Sequence, residues 1–215
     1  MVELHQSMST RKELLEQHGF TVDVHRQSAF RGHPTIHEIH YAERGGWQYV
    51  VAKDEAHFGT IQKVLKSVPY ASKIVERFDG IAVFERAKGE ILWHLETLPD
   101  LQIVERSLRE FVDALRPFGV AHADIRPWNV MWDDIDGVRV IDWGFPFIHG
   151  ETRWGDHIVK HLNSCAGELM VRDVLEVDII DIRKLMQLLR GEIGLKAAWN
   201  YGSGAFSWRP HWCNL

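Results

Sequence analysis

The sequence predicts an α+β chain in two lobes, a small antiparallel β-sheet lobe followed by a reduced, mainly helical one. Three observations predict it. Apolar and polar side chains alternate at period two through much of residues 20–85. From residue 100 onward apolar side chains recur at helical spacing, and paired turn residues punctuate the early runs. Strands first and helices later is the order of an α+β chain, and the change falls near residues 85–90. With 215 residues there is room for one domain or two small lobes, read here as a single domain with lobes 1–86 and 87–215.

Residues 9–18 fit a short helix, with Ser9 or Thr10 as N-cap and Gly19 as its stop. Phe20, Val22 and Val24 then alternate as in a half-buried strand. A loop, SAFRGHPT, leads to a second alternating run over 36–41. Gly45-Gly46 signals a hairpin turn into a third strand, Trp47 to Lys53. Residues 55–67 are helix-compatible, with Phe58, Ile61, Leu65 and Val68 near one face. Strands are expected over 73–78 and 81–85, joined by Asp79-Gly80. Leu101, Val104, Leu108, Phe111, Leu115 and Phe118 make a helical stripe over 100–118, which Gly119 ends. Short strands at 129–132 and 138–141 flank an Asp136-Gly137 turn. The last strong helix spans 171–190, with the stripe Val171, Val174, Leu175, Ile182, Leu185, Met186 and Leu189.

Composition excludes several classes. Apolar residues at 45% and charged residues at 26% rule out wholesale disorder. With 25 basic against 30 acidic side chains, a net charge of -5 disfavours a nucleic-acid partner. Two cysteines, Cys165 and Cys213, make no disulfide framework and suit a reducing compartment. No apolar run reaches the roughly 18 residues of a membrane span, and MVELHQSMSTRKELLEQ lacks the apolar core of a signal peptide. The expected location is therefore the cytoplasm, with no membrane span. Nine tryptophans point to a core of large aromatic anchors.

The informative stretch is His122-Ala-Asp124-Ile-Arg126-Pro-Trp-Asn129, followed by Val140-Ile-Asp142-Trp-Gly144. A hairpin between the two returns the chain, so Asn129 and Asp142 end side by side. A carboxylate and an amide carbonyl are hard oxygen ligands suited to Mg²⁺. Asp124, five residues before Asn129, can face a hydroxyl while the other two hold metal. Magnesium plus a base is the toolkit of phosphoryl transfer, where catalysis is mostly positioning and charge neutralisation.

These residues resemble the catalytic loop of the protein-kinase-like superfamily, H-x-D-x-x-x-x-N followed by a D-F-G-type motif. HADIRPWN is most similar to aminoglycoside-phosphotransferase-like proteins and other compact bacterial kinases, in which a small residue often stands where Ala123 is. The resemblance, over roughly residues 20–190, implies a bilobal protein-kinase-like fold and an ATP- and Mg²⁺-dependent phosphotransferase, with ATP between the lobes. It makes Asp124 the catalytic base, Asn129 and Asp142 the metal ligands, and His122 a structural support. Trp143 replaces the motif phenylalanine. Lys53, ending Val51-Ala52-Lys53, takes the place of the lysine on the α/β-phosphates. Phe84, Glu85 and Arg86, followed by Lys88-Gly89-Glu90, resemble the hinge that binds adenine through backbone groups. Asp181 resembles the helix aspartate that braces the catalytic loop, and Asp178, on that helix's apolar stripe, competes for the same role. Arg126 stands where Ser/Thr protein kinases carry a lysine and would neutralise the γ-phosphate.

The sequence also departs from the pattern. The glycine-rich loop is missing; only Gly32 sits in that turn, with Arg31 and His33 beside it. The acidic partner of Lys53 is either Glu55, early in the helix, or is replaced by the uncharged Gln62. There is no A-P-E, and no arginine precedes Asp124. Other readings stay open: Lys53 as a surface lysine, Glu55 as helix N-terminal charge complementarity, and Arg126 as a cation packed on Trp128. His33, His37 and His40 lack metal spacing, and Trp199, Tyr201, Phe206, Trp208 and Trp212 fit packing. The acceptor side falls in 145–170, whose mixed charge leaves a protein Ser/Thr and a small hydroxylated molecule both open. The alternatives to an enzyme are a pseudokinase that binds nucleotide without turnover and a plain interaction domain.

Overall fold

A computed structural model describes residues 11–23, 40–144, 146–149, 176–194 and 198. The loop with Arg31, Gly32 and His33, most of 145–170, Val171, Val174, Leu175, both cysteines and the tail aromatics lie outside them. So do Ser9, Thr10 and His37. The chain separates into two compact units. One holds the chain up to Lys63 and Ser72–Arg86; the other holds Val64–Ala71 and everything from Ala87 on.

The first unit is a five-stranded antiparallel sheet in the order β1-β2-β3-β5-β4. Its strands are β1 (Thr21–Asp23), β2 (His40–Arg44), β3 (Trp47–Lys53), β4 (Ile74–Phe78) and β5 (Ile81–Glu85). The register sets two different faces. Ala42 opposes Tyr49, Val51 opposes Val83 and Lys53 opposes Ile81, so these side chains share one face. Helix α1, residues 11–17, covers part of that face: Leu15 and Phe20 close a core with Ala42, Val51, Ile81 and Val83. Gly19, in the left-handed region at φ 77°, turns the chain from α1 into β1. Helix α2 (Phe58–Leu65) lies against the other face. Phe58 meets Phe84 edge to face at 5.4 Å, and Gly59 packs on the Arg77 guanidinium. Arg77 in turn grips Asp54 through two hydrogen bonds of 2.8 Å.

The second unit centres on α3 (Leu101–Leu115), capped by Asp100, whose Oδ1 accepts from the Gln102 N–H at 2.8 Å. Val104, Leu108, Phe111 and Leu115 are fully buried along its stripe. The predicted helix to 118 stops at Leu115. Pro117 lacks an N–H, so Arg116–Phe118 tightens to a 3₁₀ turn that Gly119 ends at φ 64°. Helix α4 (Val177–Leu189) packs on α3. β6 (Glu90–Ile91), β8 (Val130–Asp133) and β9 (Gly137–Val140) form a three-stranded sheet, and β7 (Val120–Ala121) pairs with β10 (Phe147–Ile148). Strands of two residues show no period, and the sequence pattern misses β6, β7 and β10 for that reason.

Val64–Ala71 is tied into this unit through its backbone. The Tyr70 carbonyl accepts from the Val140 N–H at 2.6 Å, and the Ala71 carbonyl from Arg139 Nη1 at 3.2 Å. Gly89 marks a second close approach: a Cβ there would overlap the Trp132 carbonyl, in a residue already at φ 83°. Among the described residues, no helix is long and apolar enough to cross a membrane.

Gly89→Ala is expected to destabilise the fold by about 2–4 kcal/mol, overpacking and left-handed strain together. Gly137→Ala, where a Cβ meets open space at φ 72°, should cost only about 1–2 kcal/mol of strain. Urea unfolding of both variants measures the difference.

Candidate functional site

The loop 121–129 is built on carboxylates that α4 carries inward. Asp178 and Asp181 are three residues apart, hence on one helix face, and are 1% and 0% exposed. Asp178 accepts the His122 N–H through Oδ2 and the Ala123 N–H through Oδ1, each at 2.7 Å. Asp181 Oδ2 accepts the Ile125 N–H at 3.3 Å. The family brace expected of Asp181 thus falls first to Asp178, and Asp181 adds a second hold. Burial pushes the Asp178 carboxyl up to about 6, against the charge of His122 and the two N–H donors that favour its ionised form.

Two non-glycine residues of the site take left-handed backbone. Ala123 has φ 61° and Asp142 φ 64°. A small side chain at 123 limits that strain in a place that is 7% exposed, and an aspartate tolerates it at 142. His122 is fully buried. Its Nε2 donates to the Ile141 carbonyl at 3.0 Å, its Nδ1 has no hydrogen-bond partner among the described residues, and its ring lies 4.7 Å from that of Trp143.

Asp124 is about a fifth exposed, and burial pushes its carboxyl above the usual carboxylate value, before the opposing charge of Arg126. Arg126 Nε lies 2.5 Å from Asp124 Oδ1, and the guanidinium carbon sits 5.7 Å from the Trp128 ring. Both sequence readings of Arg126 omitted this ion pair, although opposite charges two residues apart are a visible signal. Asn129 is 4% exposed, and its Nδ2 donates to the Asp124 carbonyl at 3.0 Å and to Asp124 Oδ2 at 2.7 Å. The sequence assigns Asn129 only its oxygen; the amide nitrogen, which fixes Asp124, was missed.

Asn129 and Asp142 flank the base of the β8–β9 hairpin. Val130 opposes Val140, and the Ile141 N–H reaches the Asn129 carbonyl at 2.9 Å. Asp142 is exposed; its Oδ1 accepts from the Gly144 N–H at 3.2 Å, and its Oδ2 makes no hydrogen bond among the described residues. Asn129 Oδ1 likewise makes none among the described residues. Two open oxygens of hard type fit Mg²⁺, which keeps waters and substrate phosphates as its other ligands. No group of three or more His, Cys, Asp or Glu suited to a metal occurs among the described residues.

The residues of the first unit are less assembled. Lys53 is exposed and makes no ion pair among the described residues. It shares its sheet face with Val51 and Ile81, whereas α2 lies on the opposite face. Neither expected partner reaches it. Gln62 Nε2 donates to the Ile74 carbonyl at 3.2 Å, and Glu55 is exposed, one turn before Phe58. Two backbone donors of the hinge segment are already engaged. The Glu85 N–H donates to the Lys73 carbonyl at 2.8 Å and the Arg86 N–H to the Gln48 carbonyl at 3.2 Å, so neither donor is open to a base. Phe84 is buried against Phe58. Lys88 pairs with Asp136 at 2.9 Å.

Comparison with known proteins gives one finding. A family model described as a phosphotransferase enzyme family matches residues 44–156, just over half of the chain and the whole of the loop and hairpin above. No curated protein matches.

Asp178→Ala removes the acceptor of two buried N–H groups and should cost about 2–6 kcal/mol, read from urea unfolding. The pH dependence has a definite sign. Because the folded carboxyl titrates at about 6 rather than at 3.8, the folded state binds this proton more tightly. Its contribution to stability is full below about 4 and is lost as pH rises through about 6. The wild-type minus Asp178→Asn difference in urea midpoint, measured from pH 4 to pH 7, should fall accordingly.

Proposed function

This chain belongs to the phosphotransferase enzyme family, and on that premise we propose that it transfers the γ-phosphoryl group of ATP, with Mg²⁺, to a hydroxyl of a protein serine or threonine or of a small molecule. The observation that carries this reading is the Asn129 side-chain amide. It holds both the carbonyl and the carboxylate of Asp124, while its own oxygen makes no hydrogen bond among the described residues and the hairpin brings Asp142 to the opposite strand end. One residue thereby links a base to a cation site.

In this reading Asp124 orients the acceptor hydroxyl and takes its proton as the oxygen–phosphorus bond forms and the bond to ADP breaks. Its raised proton affinity keeps it a stronger base than a solvated aspartate. Arg126, already against Asp124, supplies positive charge to the transferred phosphoryl. Asn129 Oδ1 and the Asp142 carboxylate hold Mg²⁺, which when bound offsets charge on the phosphate oxygens. Lys53, an ammonium with no acid partner among the described residues, takes the α/β-phosphates as a point charge. With the Glu85 and Arg86 donors engaged, base recognition falls to other groups of the 84–88 segment.

Asp142→Ala is expected to abolish Mg-ATP turnover, and Asp124→Ala to lower it by ~10²–10⁴-fold. Phosphate transfer into a cell lysate, followed by isolation of the labelled acceptor, measures both. Near-wild-type turnover in the two variants would sink the proposal. Mg-ATP at about 100 times its dissociation constant should raise stability by ~2.7 kcal/mol, and absence of any thermal shift would exclude nucleotide binding.

A further inference from the structure

We propose that the side chains of Arg86 and Gln48 read the base of the phosphoryl donor and select guanine, so that GTP serves as a donor in preference to ATP. The inference rests on the phosphotransferase reading and deepens it, naming the donor's base from what the first unit presents. In its sheet, Tyr41 opposes Val50 and Val50 opposes Phe84, so the three side chains form one row across β2, β3 and β5. Helix α2 covers the Phe84 end of the row, where Phe58 sits. Tyr41 and Val50 stay only half-buried. On the opposite face Ala42, Val51 and Val83 share a core with Leu15 of α1 and are 2% exposed or less. The less covered end of the row is an apolar shelf of one ring and one branched side chain, a surface that suits a planar ring.

The polar groups at this shelf are donors. Arg86 Nη1 donates to Gln48 Oε1 at 2.6 Å, and the guanidinium carbon lies 4.8 Å from the centre of the Tyr41 ring. Both polar side chains are exposed. A guanidinium carries N–H groups and no acceptor, and with its oxygen turned to Arg86 the Gln48 amide has its NH₂ left to offer. The backbone beside them is engaged. The Glu85 N–H donates to the Lys73 carbonyl, the Glu85 carbonyl accepts from Ser72 Oγ at 2.8 Å, and the Arg86 N–H donates to the Gln48 carbonyl. Adenine shows an N6 donor beside its N7 acceptor. Guanine shows two adjacent acceptors, O6 and N7, which a guanidinium takes together. A glutamine amide suits adenine only with its oxygen free, and Arg86 holds that oxygen. Lys53 ends β3 about 10 Å along the strand from Val50, and from a strand end its four-carbon stem can turn toward the phosphates of a nucleotide whose base lies on the shelf.

Calorimetry on the full chain, with the Mg²⁺ complexes of the β,γ-imido analogues of GTP and ATP, tests the assignment. The guanine analogue is expected to bind about tenfold more tightly than the adenine one. The inosine analogue keeps O6 and N7 and lacks the N2 amine, so it should match the guanine analogue within about twofold. The 7-deazaguanine analogue, with carbon in place of N7, should lose most of the advantage. Arg86→Met, at an exposed position, should bring the guanine-to-adenine ratio close to one. Arg86→Gln, whose amide can pair with adenine N6 and N7, should reverse it. Equal or tighter binding of the adenine analogue by the wild-type chain would overturn the proposal and leave the phosphotransferase reading standing. A guanine preference that survives Arg86→Met would overturn it too. If neither analogue binds, the nucleotide reading falls and this assignment falls with it.

Discussion

Everything in the second unit's site depends on carboxylates that a helix carries into a dry interior. Asp178 and Asp181 would be expensive guests on an apolar stripe if they met only hydrocarbon. They are tolerated because the loop at 121–125 offers N–H groups that no strand or helix partner takes. The exchange is mutual: the loop cannot adopt a left-handed Ala123 without those acceptors, and the acids cannot stay buried without those donors. Irregular backbone is thereby held as firmly as regular structure, which a site of fixed geometry needs.

From that anchor the rest follows outward. The buried His122 ring, bonded to the Ile141 carbonyl, ties the loop to the strand that leads into Asp142. Trp143 packs against His122 and Phe111, so the residue after the metal-type carboxylate is anchored in the α3 core. Asn129 then joins the two halves, its backbone to Ile141 and its amide to Asp124. The polar groups of the loop are thereby tied to one another in series.

Much of this was legible in the sequence. The strands from Trp47 to Lys53 and from Ile81 to Glu85 fall where alternation and turn residues put them, because a half-buried strand has no other pattern. The residue types and spacing of the 122–144 stretch identified a loop and hairpin of the right kind. Register was not legible. Alternation says that Lys53 and Ala52 face opposite ways, but not which face α2 covers; Phe58 on Phe84 puts α2 on the Ala52 face. Nor does sequence show which backbone donors are already engaged, such as the Glu85 and Arg86 N–H groups on the Lys73 and Gln48 carbonyls. The competition between Asp178 and Asp181 had no sequence solution either, since both fit, and the structure uses both.

The short stretch Val64–Ala71 has a practical meaning for anyone who would take this protein apart. It precedes β4 in the chain, yet its carbonyls at Tyr70 and Ala71 satisfy groups of β9, and Tyr70 Oη reaches Glu110 on α3 at 2.8 Å. A fragment that starts at Ala87 would leave the Val140 amide facing an empty edge. Recombinant pieces, chimaeras and split reporters cut at the obvious seam would therefore inherit a damaged hairpin next to the 121–129 loop, whereas a graft that brings the octapeptide along, spliced ahead of the larger fragment, would keep that edge sealed.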